Sequence, residues 1–218
     1  MHHRRLPFVL TALVALALLL APAAFALDVH VRVEGARTTI FGASEPLVRP
    51  VVGPIPASDG TVVELSTPTP LGALEAASVR GEFFYELVAA SFGSYVAQIG
   101  RNPGAASSGW VYKVNGVSPP VGADSYVLED GDSVLWYYAT FGPTGGPQTL
   151  ELRRSGNRCY RAVSVDDAGK SSPARRVVFR LDGRRIFSHG GGLCPSGHWH
   201  ELRATKPGLV RSQVVERR

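Results

Sequence analysis

Three absences limit what this 218-residue sequence can encode. After residue 26 no run is apolar enough to cross a bilayer, which takes roughly 20 residues. No Gly-x-Ser-x-Gly occurs anywhere, so the nucleophile turn of the α/β-hydrolases is missing. Cysteine is scarce, with two residues in the whole chain and none near residue 26 to carry a lipid. These absences exclude a later membrane span, a lipid anchor at that point and a hydrolase of that type.

Other sequence patterns that belong to enzymes are incomplete as well. The run His-Gly-Gly-Gly at 189–192 resembles the oxyanion loop of lipases, but no parallel α/β pattern surrounds it. Gly169-Lys170-Ser171 resembles the end of a phosphate-binding loop, but position 164 is Ser where the first Gly is required. Asp166 and Asp167 are neighbours on opposite faces of a strand or in a turn, so they do not make an acid/base pair. The sequence therefore predicts a protein that is not an enzyme.

The first 26 residues have the three parts of an export signal. A cationic start at 2–5 is followed by an apolar run from Phe8 to Leu20 and by Ala24-Phe25-Ala26, a small-x-small cleavage pattern. We expect residues 1–26 to be removed as a signal peptide, with an uncleaved amino-terminal anchor as the alternative. The mature protein is then expected to be secreted, either extracellular or associated with the cell surface.

Charge divides the rest of the chain into an acidic half and a basic half. Residues 27–147 hold 6 Lys/Arg and 12 Asp/Glu, a net charge of −6, whereas residues 148–218 hold 15 Lys/Arg and 6 Asp/Glu, a net charge of +9. The change falls at a run rich in Gly and Pro, so we predict a domain at 27–142, a linker at 143–147 and a second domain at 148–218. Either the two domains attract one another, or the basic one rests on an anionic envelope polymer. Nucleic acid is not expected as a partner, because the arginines are scattered along predicted strands.

The acidic half combines strand patterns with one helix pattern. Thr69 is a good N-cap and Pro70 a good first helical residue, and the helix should bury its apolar face and end at Gly81. Residues 46–56, with four prolines, should be an irregular connection. Alternating polar and apolar residues predict the strands 28–34, 61–65, 83–87, 94–99, 110–114 and 133–138. This order predicts an α+β domain with one helix packed across a sheet.

The basic half has no helical pattern. Short apolar runs between Gly, Asp and Ser turns predict strands near 150–152, 160–163, 177–181, 186–187, 202–205 and 210–215, which is typical of a small all-β sandwich. In an oxidising compartment we expect Cys159 and Cys194 to form a disulfide. The alternative is a zinc site in which Cys194 joins His189, His198 and His200, but it would cost the disulfide, and no metal is predicted.

Four segments of the acidic half resemble, in their order, one known family. They are the helix TPLGALEAA at 69–77, the strand FGSYVAQI at 92–99, the hairpin GWVYKVNG at 109–116 and the strand region 126–138. Together they resemble the C-terminal domain of transcobalamin and intrinsic factor, of which bacteria use a similar version in many secreted proteins of unknown function. Each segment alone is a weak signal, but four in the right order are fairly specific. The resemblance covers roughly residues 28–141.

The resemblance implies a ubiquitin-like β-grasp fold for the acidic half. It also makes cobalamin a candidate ligand, because Trp110 and Tyr112 match the hairpin that faces the corrin ring in the cobalamin carriers; no cofactor is otherwise predicted. The chain lacks the large helical domain that supplies the other wall of that site in the carriers. More loosely, residues 202–212 resemble the immunoglobulin-like or carboxypeptidase-regulatory-like modules of surface proteins, so the second domain is expected to be immunoglobulin-like.

Four aromatic residues form the candidate ligand site. Trp110, Tyr112, Trp136 and Tyr138 offer flat apolar faces with polar handles, which suit a flat ligand or a sugar ring. The alternative is that they fill the core or pair across strands. Close to them, Asn115-Gly116 predicts a tight hairpin turn. The acidic run 129–132 lacks the ligand spacing of a calcium loop and is predicted to be a turn.

The leading hypothesis is a secreted, non-enzymatic protein that binds a small-molecule ligand or recognises a partner through the Trp110 hairpin and the Trp136 strand. Replacing Trp110 by Ala should then weaken the ligand and leave the fold largely intact. The alternative hypothesis is a structural or adhesion protein of the cell envelope without a small-molecule ligand. In that case, neutralising the basic residues Arg175, Arg176, Arg184 and Arg185 should release the protein from anionic envelope polymer.

Overall fold

The computed structural model describes residues 27–91, 93–143 and 145–217. The predicted signal segment 1–26 lies outside the described residues. The acidic half contains helix α1 (Pro70–Gly81) and the strands β1 (Val29–Glu34), β2 (Thr39–Phe41), β3 (Leu47–Val48), β4 (Gly53–Pro56), β5 (Val62–Leu65), β6 (Tyr85–Ala90), β7 (Gly93–Ile99), β8 (Asn102–Pro103), β9 (Ser108–Val114) and β10 (Ser133–Thr140). Among the described residues no helix has the length and apolarity that a membrane crossing requires.

The strands of the acidic half belong to three separate sheets. The largest has the order β2-β1-β10-β9, with β3 also paired to β1. Within it β1 and β10 are parallel, and the other neighbours are antiparallel. Strands β4 and β5 form a hairpin of their own, and β6-β7-β8 form a third sheet. Strand β9 therefore lies at an edge, hydrogen-bonded to β10 alone among the named strands.

Helix α1 begins as the sequence predicts. The Thr69 hydroxyl oxygen accepts a hydrogen bond from the Gly72 backbone N–H at 3.1 Å, and Pro70 is the first helical residue. The helix ends at Gly81, as predicted, and the next residue, Glu82, caps it in the left-handed conformation with φ of 51°. Its buried side chains share a core with residues of all three sheets, including Val31, Leu65, Leu87 and Val96.

The expectation of an α+β, ubiquitin-like β-grasp domain, with one helix laid on one sheet, is wrong. The described chain is mainly β, with one helix of 12 residues against the strands β1 to β18. Part of the reason lies in 46–56, which contains β3 and β4 where an irregular connection was expected. Strand β4 carries Pro54 and Pro56, and proline cannot donate to a ladder, so β4 stays in a two-stranded hairpin instead of joining a larger sheet.

The all-β prediction for the basic half is confirmed. One sheet has the order β11-β12-β13, with β16 on β12, and the other has the order β15-β14-β17-β18. Apolar residues of both sheets, such as Leu150, Phe179 and Leu202, share one core. The strands are β11 (Thr149–Arg154), β12 (Tyr160–Val165), β13 (Ser171–Pro173), β14 (Val177–Leu181), β15 (Arg184–Ser188), β16 (Gly192–Leu193), β17 (Glu201–Thr205) and β18 (Val215–Glu216).

Two features of the basic half refine the sequence analysis. Cys159 and Cys194 form a disulfide, as expected, which joins the start of β12 to the segment after β16. Strands β13 and β16 were not predicted because each is only two or three residues long. The predicted strand 210–215 is strand only at its end, where β18 begins with Val215.

The two halves pack against each other. Leu135, Tyr137 and Ala139 lie on the face of β10 that is turned away from the aromatic candidates, and they form a cluster with Val210 of the basic half. The carboxylate of Glu34 in the acidic half bonds to guanidinium groups of the basic half. Attraction between halves of opposite net charge, one of the two readings of the charge pattern, is therefore present in the fold.

Candidate functional site

The four aromatic candidates lie on one face of the β9–β10 pair. The antiparallel register places Trp110 opposite Tyr138 and Tyr112 opposite Trp136. The ring centroids of Trp110 and Tyr138 are 5.6 Å apart in an edge-to-face arrangement, and those of Tyr112 and Trp136 are 5.4 Å apart in a tilted one. Such cross-strand pairs stabilise a sheet, so the pairing alternative describes part of what these residues do.

The two tryptophans belong to the core of the acidic half. Trp110 is 9% exposed and Trp136 is 2% exposed. The Trp110 indole N–H donates to the Asn102 carbonyl at 2.8 Å, and that of Trp136 donates to the Pro70 carbonyl at 3.2 Å. Because both indoles are buried and hydrogen-bonded inside the protein, the structure argues against the expectation that Trp110 can be removed without cost to the fold.

A cavity of about 360 Å³ lies beside β9 and brings three of the four candidates together. Trp110, Tyr112 and Trp136 line it, whereas Tyr138 does not. Three further lining residues have large apolar side chains that are partly exposed: Phe141 (44%), Tyr95 (46%) and Val121 (47%). Contiguous exposed apolar surface of this kind marks interaction sites more often than scattered apolar residues do.

The free edge of β9 borders this cavity. The Asn115 N–H donates to the Ser133 carbonyl of the neighbouring chain segment, and hydrogen-bonded positions alternate along an antiparallel pair. The peptide groups of Trp110 and Tyr112 therefore point away from β10. Side chains from both faces of β9, Tyr112 on one and Val111 on the other, line the cavity, which places it along that edge. Within the part of the chain that the structure describes, these N–H and C=O groups have no strand partner, and they lie beside the apolar walls.

Hydrogen bonds hold the loop that forms the outer wall of the cavity. The Tyr112 hydroxyl donates to the Val121 carbonyl at 2.7 Å. Burial raises the pKa of Tyr112 to about 12, and the neighbouring Tyr126 and Asp124 add to the shift. The Asp124 carboxylate accepts hydrogen bonds from Ser94 in β7. Burial alone would raise the pKa of Asp124, but these hydrogen bonds outweigh it and lower the pKa below its usual value.

On the other side of β9 a buried lysine ties the cavity to the basic half. Lys113 is fully buried, and its ammonium donates to the carbonyls of Val165 at 3.2 Å and Asp166 at 2.7 Å. It also pairs with the carboxylate of Asp167, which lines the cavity, at 3.4 Å. Burial lowers the pKa of Lys113, and the nearby Asp167 opposes that shift.

The turns around the site agree with the sequence analysis. Asn115 and Gly116 both have positive φ, 51° and 82°, as a tight hairpin turn requires. The Asp132 carboxylate accepts hydrogen bonds from the Asn115 amide at 2.7 Å and from the Glu129 backbone N–H at 2.8 Å, so the acidic run 129–132 is a turn closed by its own side chain.

The alternative of a zinc site is not supported, because its cysteine ligand is part of a disulfide. Cys194 is bonded to Cys159, so it has no free sulfur to offer to His189, His198 or His200. Within the ranges that the structure describes, no group of three or more His, Cys, Asp and Glu side chains is arranged to hold a metal ion.

Sequence reasoning missed three residues that complete the cavity. Val121 and Phe141 are apolar residues in loops rich in Pro and Gly, and Asp167 comes from the basic half. An apolar side chain in such a loop was a usable signal, since loops favour polar residues. The part played by Asp167 had no such signal, because it depends on how the two halves pack.

Comparison with known proteins finds one family profile that matches the stretch holding most of this site. The profile of a family described as a domain of unknown function (DUF4430) matches residues 74–140, from within α1 to the end of β10. All four aromatic candidates lie in that stretch. The family is associated with transcobalamin-like domains, which agrees with the resemblance at this coarser level. The curated proteins provide no match to the chain.

Proposed function

We propose that this protein is a secreted, non-enzymatic binding protein whose ligand occupies the cavity beside β9. One observation carries the proposal: an apolar cavity, three exposed hydrophobic side chains and the unpaired peptide groups of an edge strand coincide at one place. Ligand sites are typically concave and mainly apolar, with a few polar groups that fix the orientation of the ligand. Here Ser118, Asp167 and the peptide groups of β9 are the polar groups.

The size and lining of the cavity favour a compact ligand with a flat apolar body. A volume of about 360 Å³ lies near the lower end of the range of roughly 300–1,000 Å³ that is usual for small-molecule sites. The Tyr112 ring and the edges of Trp110 and Trp136 would contact that body. A corrin macrocycle is too broad to enter, so cobalamin would have to lie across the opening, against Val121 and Phe141.

The proposal is tested with the fluorescent apolar probe ANS and the purified protein. We expect saturable binding at one site, accompanied by quenching of tryptophan fluorescence. Val121→Arg places a charged side chain at the cavity and should abolish binding. Val79→Arg adds the same charge at an exposed position of α1, away from the cavity, and should leave binding unchanged. Equal binding by the two variants, or no saturable binding at all, would refute the assignment of the cavity.

A parallel titration with cobalamin examines the finer part of the resemblance. Quenching that saturates at micromolar cobalamin or below, corrected for the absorbance of the ligand and lost in Val121→Arg, would make the cavity opening a corrin site. If ANS binds and cobalamin does not, the cavity is a site for a compact ligand only.

The envelope hypothesis is the second candidate, and one observation favours it. Arg175, Arg176, Arg184 and Arg185 are all exposed, so they are free to contact anionic polymer. Retention of the protein on cell envelopes should then decrease with salt and with neutralisation of these four residues. Retention that is insensitive to both would rule this candidate out.

A further inference from the structure

A second cavity, which we call the arginine groove, lies where the two halves meet. It has a volume of about 740 Å³ and is lined by residues of the β1–β2 turn, of the strands β14, β15 and β17, and of the connection that follows β17. Its lining contains no aspartate or glutamate among the described residues. It contains six cationic side chains, namely Arg37, Arg180, Arg185, Arg203, Lys206 and Arg211. The groove shares no lining residue with the cavity beside β9.

Three of these arginines form a row across neighbouring strands. The register pairs Arg180 of β14 with Arg185 of β15 on one side and with Arg203 of β17 on the other. Residues directly opposite in antiparallel strands project from the same face, and like charges in that position destabilise a sheet. The opposite face of β14 carries the core residues Val177 and Phe179, so the charges are confined to the groove side.

Two of the six cations are already paired and four are not. Arg203 and Arg211 both bind the buried carboxylate of Glu34. Burial lowers the pKa of Arg203, and the neighbouring Arg32 and Arg211 act in the same direction against the effect of Glu34. Among the described residues no carboxylate pairs with the unpaired set, which consists of Arg37, Arg180, Arg185 and Lys206.

An arrangement of this kind favours the protein with a bound anion over the protein without one. Each guanidinium can donate two parallel hydrogen bonds to phosphate oxygens, whereas without an anion the unpaired Arg180 and Arg185 repel one another. Four unpaired cations around one groove exceed what a single anionic group can contact. Among the described residues that line the groove none is aromatic.

We propose that the arginine groove binds an anionic ligand that carries several phosphate groups. Arg37 contributes from the acidic half, and Arg180, Arg185 and Lys206 contribute from the basic half, so the ligand bridges the two. The groove is open, which admits either a short polyphosphate or a stretch of a longer phosphate-bearing polymer.

Calorimetric titration of the purified protein with orthophosphate, tripolyphosphate and long-chain polyphosphate at low salt tests this proposal. We expect tripolyphosphate to bind well above orthophosphate in affinity and to weaken as salt is raised. Arg185→Gln should weaken tripolyphosphate roughly tenfold, as loss of charged hydrogen bonds does. The matched control is Arg184→Gln, which removes the same charge from the next residue of β15, outside the groove, and should bind as the parent does.

A second readout separates loss of binding from loss of folding. Because Arg180→Gln relieves repulsion in the row, its melting temperature without ligand should be no lower than that of the parent. Tripolyphosphate should raise the melting temperature of the parent and of Arg184→Gln, and it should do so much less for the Arg180→Gln, Arg185→Gln double variant.

The outcomes distinguish the sources of the ligand and can overturn the proposal. Affinity per chain that is independent of polyphosphate length indicates a small ligand, whereas affinity that rises with length indicates a polymer. Orthophosphate binding as tightly as tripolyphosphate, an equal loss in Arg184→Gln and Arg185→Gln, or no binding by any phosphate would each overturn it.

Discussion

Arg211 of the basic half donates two hydrogen bonds to Glu34 Oε2 of the acidic half, from Nε at 3.0 Å and from Nη2 at 2.8 Å. The other carboxylate oxygen of Glu34 accepts from Arg32 at 3.2 Å and also from Arg203. Glu34 is almost completely buried, as is Arg32. Glu34 thus pairs with three guanidinium groups where the halves meet, and Arg32 pairs with Glu45 as well. Among the described residues no buried side-chain polar atom lacks a hydrogen-bond partner.

Glu34→Gln should be strongly destabilising. It keeps the shape of the side chain but removes the charge, and breaking a buried ion pair on one side typically costs about 3–5 kcal/mol. Chemical denaturation measures the loss. Glu64→Gln, a change of the same kind at an exposed carboxylate of β5, should alter the free energy of unfolding by less than about 0.5 kcal/mol. Similar small effects of both changes would mean that the cluster does not hold the halves together.

Trp110→Ala should destabilise the acidic half, contrary to the expectation from the sequence. Truncation of a buried aromatic side chain costs about 3–5 kcal/mol, and here the Asn102 carbonyl also loses its donor. Phe84→Ala, which truncates an exposed aromatic residue, serves as the control and should be nearly neutral in denaturation curves. If the Trp110→Ala protein were as stable as the parent, the interpretation of Trp110 as a ligand contact would be favoured over its role in the core.

Stability should fall as pH rises from about 10 to about 12. Burial raises the pKa of Tyr112 and of Tyr137 from an ordinary value of 10.0 to about 12. Between these values the unfolded chain releases protons that the folded protein retains, so this contribution is complete below pH 10 and is lost as pH rises through 12. Ultraviolet titration measures the pKa of the tyrosines, and denaturation at several pH values measures the loss of stability. In Tyr112→Phe the pH-dependent loss should be smaller; an unchanged pH profile would contradict the assignment.

Removing the disulfide should cost about 3–4 kcal/mol on the chain-entropy estimate, because Cys159 and Cys194 are 35 residues apart. The comparison is between the parent and the double variant Cys159→Ser, Cys194→Ser in denaturant. A reductant should destabilise the parent and leave the double variant unaffected. Equal stability of the oxidised parent and the double variant would show that the bond adds nothing to the fold.

Two neighbouring glycines should respond differently to alanine. Gly191 has φ of +76°, and an added Cβ would lie 1.9 Å from the Ala174 carbonyl oxygen, so Gly191→Ala should destabilise by about 2 kcal/mol or more. At Gly190 no atom lies within 4 Å of an added Cβ, so Gly190→Ala should be close to neutral in thermal unfolding. Gly191, in the run at 189–192 that resembles an oxyanion loop, would then be required by the geometry of the backbone. Equal effects of the two changes would contradict this.

Local features of the fold followed from the sequence because short-range chemistry decides them. The Thr69 cap, the Asn115-Gly116 turn and strands such as β1 and β10 depend on backbone preferences and on alternation within a few residues. The aromatic candidates were also found this way, since Trp110 and Tyr112 alternate along one strand. Alternation alone could not show whether their face of the strand is turned toward the core or toward solvent.

The arrangement of these elements depended on contacts between residues distant in the chain. The prolines of β4 keep it in a hairpin with β5, and the large sheet ends at the free edge of β9. The acidic half therefore has three sheets, which overturned the β-grasp expectation. The row formed by Arg180, Arg185 and Arg203 exists only in the register of three strands.

By itself, therefore, the sequence determined the helix cap, the turns, the all-β character of the basic half and the opposite charges of the two halves. Only the tertiary structure decided that Trp110 is core, that Lys113 is buried against the other half, and that four cations converge with no carboxylate partner among the described residues. The physical reason is that propensity and pattern act over a few residues. Burial, ion pairing and cavities are set by surfaces that meet only when the chain is folded.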